Sequence, residues 1–127
     1  MEKTILLIDD EYDVVDTVET MLKGEGFKTL IARNGEEGLK LLKKHRPIPD
    51  LILLDIMMPV INGVELCGMI REIDELKSVP IVMFTAKTNA VDKKKSFDAG
   101  ANGFISKPFN TRGFIASIKT YLELGDI

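Results

Sequence analysis

A single cysteine, Cys67, in a chain of 127 residues leaves no means of forming an internal disulfide or a cysteine-ligated zinc site. Cys67 falls within an apolar helical pattern, where a thiol serves as a small core residue. Positive charge is also not in excess. With 17 Lys and Arg against 20 Asp and Glu the formal net charge is −3, which gives no basis for a nucleic-acid-binding face. No apolar run approaches the roughly 18 residues of a membrane span, and no N-terminal signal pattern is present, so a cytoplasmic location without membrane contact is expected. No GxxxxGK[ST] loop occurs and no GxGxxG follows the first strand, which leaves nucleotide binding with little support. The one histidine, His45, stands at a helix end beside Arg46 and Pro47. That is the setting of a solvated surface side chain rather than of a catalytic base or phosphate carrier.

What is present is a regular alternation. A chain of this length suits one domain that buries about two-thirds of its unfolded surface. Apolar strands are predicted at Thr4–Ile8, Phe27–Ala32, Leu51–Leu54, Val79–Phe84 and Gly103–Ser106. Between them the apolar spacing turns helical. Val14, Val18, Met21 and Leu22 mark the first helix, from Asp13 to the stop at Gly24 and Gly26. Asn34 caps a second through Leu39, Leu41 and Leu42, with Lys43, Lys44 and Arg46 towards its end. Asn62 and Gly63 lead into a third carrying Val64, Leu66, Cys67, Ile70 and Ile73. A polar fourth runs from about Asn89 to Ala99, with Gly100 as a left-handed stop. A fifth, from Thr111 to about Leu124, aligns Phe114, Ile118, Tyr121 and Leu122. Five strands alternating with five helices predict an α/β fold: a doubly wound five-stranded parallel sheet of order 2-1-3-4-5 with right-handed crossovers, flavodoxin-like. A single domain over residues 1–127 is expected, without an output domain.

The carboxyl ends of these strands carry the chemistry. Strand one ends on Asp9 and Asp10, strand three on Asp55, strand four on Thr85 and strand five on Lys107. In the predicted order strands one and three flank the switch point, where ligands bind. Taken singly, each is an ordinary rim residue. Together they place three carboxylates in one cleft, where like charges need compensation. A hard divalent cation such as Mg²⁺ supplies it. Mg²⁺, an ammonium and a hydroxyl suit a dianionic phosphoryl group, and a carboxylate beside them can act as nucleophile.

Ile8-Asp9-Asp10, Leu53-Leu54-Asp55-Ile56-Met57-Met58-Pro59, Asn62-Gly63, Phe84-Thr85-Ala86 and Lys107-Pro108-Phe109 together resemble the receiver domain of two-component response regulators. The resemblance runs over essentially the whole chain. It implies that Asp55 is the phospho-acceptor, taking a phosphoryl group from a phosphohistidine on a sensor histidine kinase or histidine phosphotransfer protein. Asp10 would then ligate Mg²⁺ directly and Asp9 partly through water, with the Met57 carbonyl and an Asp55 oxygen. Lys107, Thr85 and the Ala86 N–H would bind phosphoryl oxygens, and Lys107-Pro108 resembles the family's cis peptide. Thr85 and Phe104 would form the switch, Phe104 standing where many relatives have tyrosine.

By the same resemblance, helix four, strand five and helix five would meet an unidentified downstream protein, with Lys93, Lys94, Lys95 and Phe104 as candidate contacts. A lysine run is otherwise a solvated face, and Phe104 otherwise a strand-five core residue. Met57 and Lys87, each two residues past Asp55 and Thr85, would tune phosphoryl loss to water. The chain is then expected to be no enzyme beyond its own phosphorylation and dephosphorylation, and either a monomer or a phosphorylation-dependent dimer. One alternative is a Mg²⁺-dependent phosphohydrolase with an aspartyl phosphate intermediate, but such enzymes resembling haloacid dehalogenases need a second acid where this chain has Met57. Another is a receiver that is never phosphorylated and serves as a scaffold. The intact Asp10, Asp55, Thr85 and Lys107 set argues against it.

Overall fold

Strand residues that are apolar at every position need both faces covered, and the sheet supplies that. In the computed structural model, residues 2–45 and 47–125 are described; Met1, Arg46, Asp126 and Ile127 lie outside them. The strands are β1 (Thr4–Ile8), β2 (Lys28–Ala32), β3 (Leu51–Leu54), β4 (Ile81–Thr85) and β5 (Gly103–Ser106). They form one sheet in the order β2-β1-β3-β4-β5, parallel throughout. The helices are α1 (Tyr12–Gly24), α2 (Gly35–Lys44), α3 (Gly63–Arg71), α4 (Ala90–Asp98) and α5 (Thr111–Gly125). Among the described residues no helix is long and apolar enough to cross a membrane.

Alternate strand residues face opposite ways, so the core divides in two. Ile5, Leu7, Leu51, Leu53, Val82 and Phe84 pack with Val15, Val18 and Leu22 of α1 and Phe114, Ile118 and Leu122 of α5. Leu6, Ile8, Ile52, Leu54, Ile81 and Met83 pack with Leu42 of α2 and Leu66, Cys67 and Ile70 of α3. Helix α4 buries only Ser96, whose hydroxyl donates to the Asp92 carbonyl at 2.8 Å. It is the most lightly anchored helix of the five.

Beyond one-residue differences at other ends, such as β2 starting at Lys28 rather than Phe27, two elements depart further from their predicted extents, each for a local reason. Strand β4 starts at Ile81 rather than Val79, because Pro80 has no N–H for the ladder and contributes only its carbonyl, to Ile52 N–H at 2.9 Å. Helix α3 ends at Arg71, and Ile73 instead precedes a short 3₁₀ turn at Asp74–Leu76. The turn is held by Arg71, whose guanidinium donates to the carbonyls of Leu76 (2.8 Å), Val79 (2.7 Å) and Gly100 (3.0 Å) and to Asn102 Oδ1 (2.8 Å). Gly100 adopts φ +112°, the left-handed stop expected of it.

Candidate functional site

Asp55 follows β3 directly and keeps its ladder bond, N–H to the Ile8 carbonyl at 3.1 Å. The strand therefore delivers the carboxylate at the carboxyl edge of the sheet while leaving it only 2% exposed. Oδ1 accepts the Met57 N–H at 3.1 Å, and Oδ2 accepts Lys107 Nζ at 3.1 Å. The loop that follows is pressed onto the Asp55 backbone by Gly63. A β-carbon there would overlap the Asp55 carbonyl oxygen and lie 2.7 Å from Ile56 Cα, so only glycine fits. Asn62 caps α3 by accepting the Glu65 N–H at 2.9 Å, and Glu65 returns a bond to the Asn62 N–H at 3.3 Å.

Asp9 arrives in the same way at the end of β1, its N–H on the Ala32 carbonyl at 3.1 Å, and is fully buried. Its Oδ1 accepts the Glu11 N–H at 3.0 Å and its Oδ2 accepts Lys107 Nζ at 2.7 Å. Lys107 reaches in from the end of β5, past the Phe84 ring, with its side chain 11% exposed. The bond to Pro108 is cis. A third carboxylate meets the same ammonium: Glu11 Oε1 lies 3.1 Å from Nζ.

Burial moves both buried partners. It pushes the Asp9 carboxyl above its usual range; the hydrogen bonds from Lys107 and the Glu11 N–H pull it back in part, and the Asp55 charge adds to the rise. Burial alone would lower the Lys107 ammonium, but the Asp9 hydrogen bond and the Asp55 and Asp9 charges outweigh it and hold it above its ordinary value.

Oxygens of Asp9, Glu11 and Asp55 lie within 4.8 Å of one another. Hard oxygen donors at that spacing suit a hard divalent cation. The structure thus brings Asp9, Asp55 and Lys107 together and adds Glu11. Asp10 faces solvent outside that group. Glu11 was legible only as one of three acids in a row, because nothing in its spacing distinguishes an acid that turns inward. Thr85 is fully buried; its hydroxyl accepts the Lys87 N–H at 3.1 Å and its carbonyl accepts the Lys107 N–H at 3.0 Å. Ala86 beside it is exposed.

The lysine run of α4 does not form one face. Successive helix residues are about 100° apart. Lys93 sits over the half-buried Phe104 ring at 5.8 Å, Lys94 pairs with Asp98 at 2.9 Å, and Lys95 lines a groove with Met57, Asn62 and Lys87. Phe97, one turn after Lys93, packs on Phe104 with ring centroids 5.5 Å apart, a contact that its spacing from Lys93 could have indicated.

The chain has similar sequences and similar folds among known proteins. The chain is 36% identical over 126 residues to the DNA-binding response regulator MtrA of Mycolicibacterium paratuberculosis, covering 99% of this chain and 54% of that protein. It thus spans about half the length of the curated relatives it matches. Chemotaxis protein CheY4 of Vibrio cholerae superposes with a TM-score of 0.90 at 29% identity, over 95% of this chain and 99% of that one. The receiver domain of the Pseudomonas aeruginosa sensor histidine kinase PA1611, solved with a magnesium ion coordinated in its active site cleft, superposes with a TM-score of 0.87 at 25% identity, over 97% of this chain and 99% of that one. The family model of the response regulator receiver domain matches residues 5–119, and with the fold and the strand-end residues already in place the chain belongs to that family.

Proposed function

We infer that the chain accepts a phosphoryl group on Asp55 and answers with a change at its α4–β5 face. One observation carries the reading: a carboxylate 2% exposed at the end of β3, with Lys107 on one oxygen and the Met57 N–H on the other. A buried carboxylate held in one rotamer by two donors is preorganised as a nucleophile. The Asp55 oxygen attacks phosphorus, the phosphorus–nitrogen bond of a phosphohistidine breaks, and the imidazole leaves with the electron pair. Lys107 holds the negative charge of the transferred group, and the Ala86 N–H and the Thr85 hydroxyl supply further donors. Asp9, Asp55, the Met57 carbonyl and the exposed Asp10 would hold Mg²⁺, which when bound neutralises charge on the incoming group. The donor is a histidine kinase or a histidine phosphotransfer protein.

A new set of phosphoryl acceptors draws the Thr85 hydroxyl from the Lys87 N–H it now serves. The space vacated behind β4 admits the Phe104 ring, which leaves Phe97 and Lys93. The surface offered to a downstream protein changes there. Incubation with acetyl phosphate and Mg²⁺, read by intact-mass spectrometry, should add one phosphoryl group to the protein and none to Asp55→Asn. Undiminished labelling of Asp55→Asn overturns the assignment.

A further inference from the structure

An ammonium has three hydrogens to give. On Lys107 the three go to Asp9 at 2.7 Å, Glu11 at 3.1 Å and Asp55 at 3.1 Å. A phosphoryl oxygen that needs Lys107 must therefore displace one of three carboxylates. Asp9 is fully buried, and releasing it would strand a charge without its partner. Asp55 is the nucleophile, and during attack Lys107 keeps its second oxygen in place. Glu11 is different: its side chain is 59% exposed and can turn to water at little cost.

A second feature sets Glu11 apart. It occupies the N-cap of α1, where Ser, Thr, Asp or Asn would bond the first turn, yet its side chain makes no capping bond. The side chain reaches Lys107 instead.

We propose that Glu11 is a positioning residue which occupies the place on the Lys107 ammonium that an incoming phosphoryl oxygen must take, and so slows phosphoryl loading. The proposal rests on the reading of Asp55 as acceptor. Glu11 touches neither Asp55 nor the reacting phosphorus; it acts through Lys107. Its departure accompanies loading, and its return competes with retention of the phosphoryl group.

Two variants separate contact from charge. Glu11→Gln keeps the length and removes the charge. Glu11→Asp keeps the charge but is one methylene too short to reach Lys107, and it places a favoured cap residue on α1, so the fold is not at risk. With acetyl phosphate at saturating Mg²⁺, both variants should load Asp55 roughly two- to fivefold faster than the wild type, the factor that an exposed ion pair carries. Wild-type rates in both variants overturn the proposal. So does acceleration in Glu11→Gln alone, which would make Glu11 a distant repulsive charge. The wild type failing to load at all would defeat the acceptor reading, and the tether is then decided without phosphorylation. In ¹⁵N NMR the Lys107 ammonium should be shielded from solvent exchange in the wild type and exchange faster in Glu11→Asp, which cannot reach it. Equal exchange overturns the tether.

Discussion

Lys107 Nζ lies 2.7 Å from Asp9 Oδ2, and the Asp9 carboxyl still titrates above its ordinary 3.8. Burial is the largest cause and outweighs the lysine. A folded-state pKa above the unfolded one gives a contribution that is whole below 3.8 and lost as pH rises through the folded value. Ionised Asp9 is thus a cost to the metal-free fold at neutral pH. Asp9→Asn should therefore be more stable than the wild type at pH 7, by roughly 0.5–2 kcal/mol, the size of a typical single stabilising substitution. The gap should close as pH falls towards 3.8. Thermal unfolding without divalent metal at pH 7 and pH 4 checks this, and lower stability of the variant at pH 7 would show the Lys107 bond to be the larger effect.

Gly63 carries the second prediction. Its neighbours at the built β-carbon are backbone atoms of Asp55 and Ile56, not side-chain ends that can swing away. Gly63→Ala must therefore lift the start of α3 off the strand end that presents Asp55. Overpacking of this kind costs about 1–3 kcal/mol. Chemical unfolding should show that loss, and loading from acetyl phosphate should slow as Asp55 shifts. A control at Gly68, where a β-carbon meets open space, should lose neither.

Val60 is 98% exposed and holds φ +69°, a backbone region that a β-branched residue rarely enters. With its side chain almost wholly in solvent, it has little packing to set against that strain. Asn tolerates the left-handed region, so Val60→Asn should raise stability by about 1 kcal/mol. Equilibrium denaturation measures it directly. A loss of stability in that variant would mean that the Val60 backbone is not strained.

The fold could be read from sequence because its strands are uniform. Leu51 to Leu54 is apolar at every position, which only a strand covered on both faces accommodates, and each such run stops on a polar residue. The rule of parallel sheets then places Asp9, Asp55, Thr85 and Lys107 on one edge. What escaped reading depends on side-chain reach. Asp10 and Glu11 look alike in the chain, and only the turn after β1 sends one to solvent and the other to Lys107. Three adjacent lysines suggest one patch, but helical rotation sends Lys93, Lys94 and Lys95 to three different neighbours. Val79 and Pro80 continue the apolar run of β4, so its pattern points to a start two residues before Ile81, but Pro80 cannot continue the ladder.

Divalent metal gives the last prediction. Asp9, Glu11 and Asp55 set oxygens within 4.8 Å of one another and have one ammonium among them. A cation that binds the Asp9 and Asp55 carboxylates in the folded chain alone stabilises it by mass action. At ten times its dissociation constant Mg²⁺ should add about 1.4 kcal/mol. The rise should vanish in Asp9→Asn and Asp55→Asn, each of which removes a buried oxygen charge. Asp10→Asn tests the exposed acid of the same turn and should weaken Mg²⁺ at least about tenfold if its side chain swings onto the ion, a difference of roughly 1.4 kcal/mol in binding. Thermal unfolding across a Mg²⁺ titration reads all four proteins. An unchanged midpoint in the wild type would remove Mg²⁺ from the site. An unchanged Asp10→Asn would leave the buried Asp9 and Asp55 as its acidic ligands.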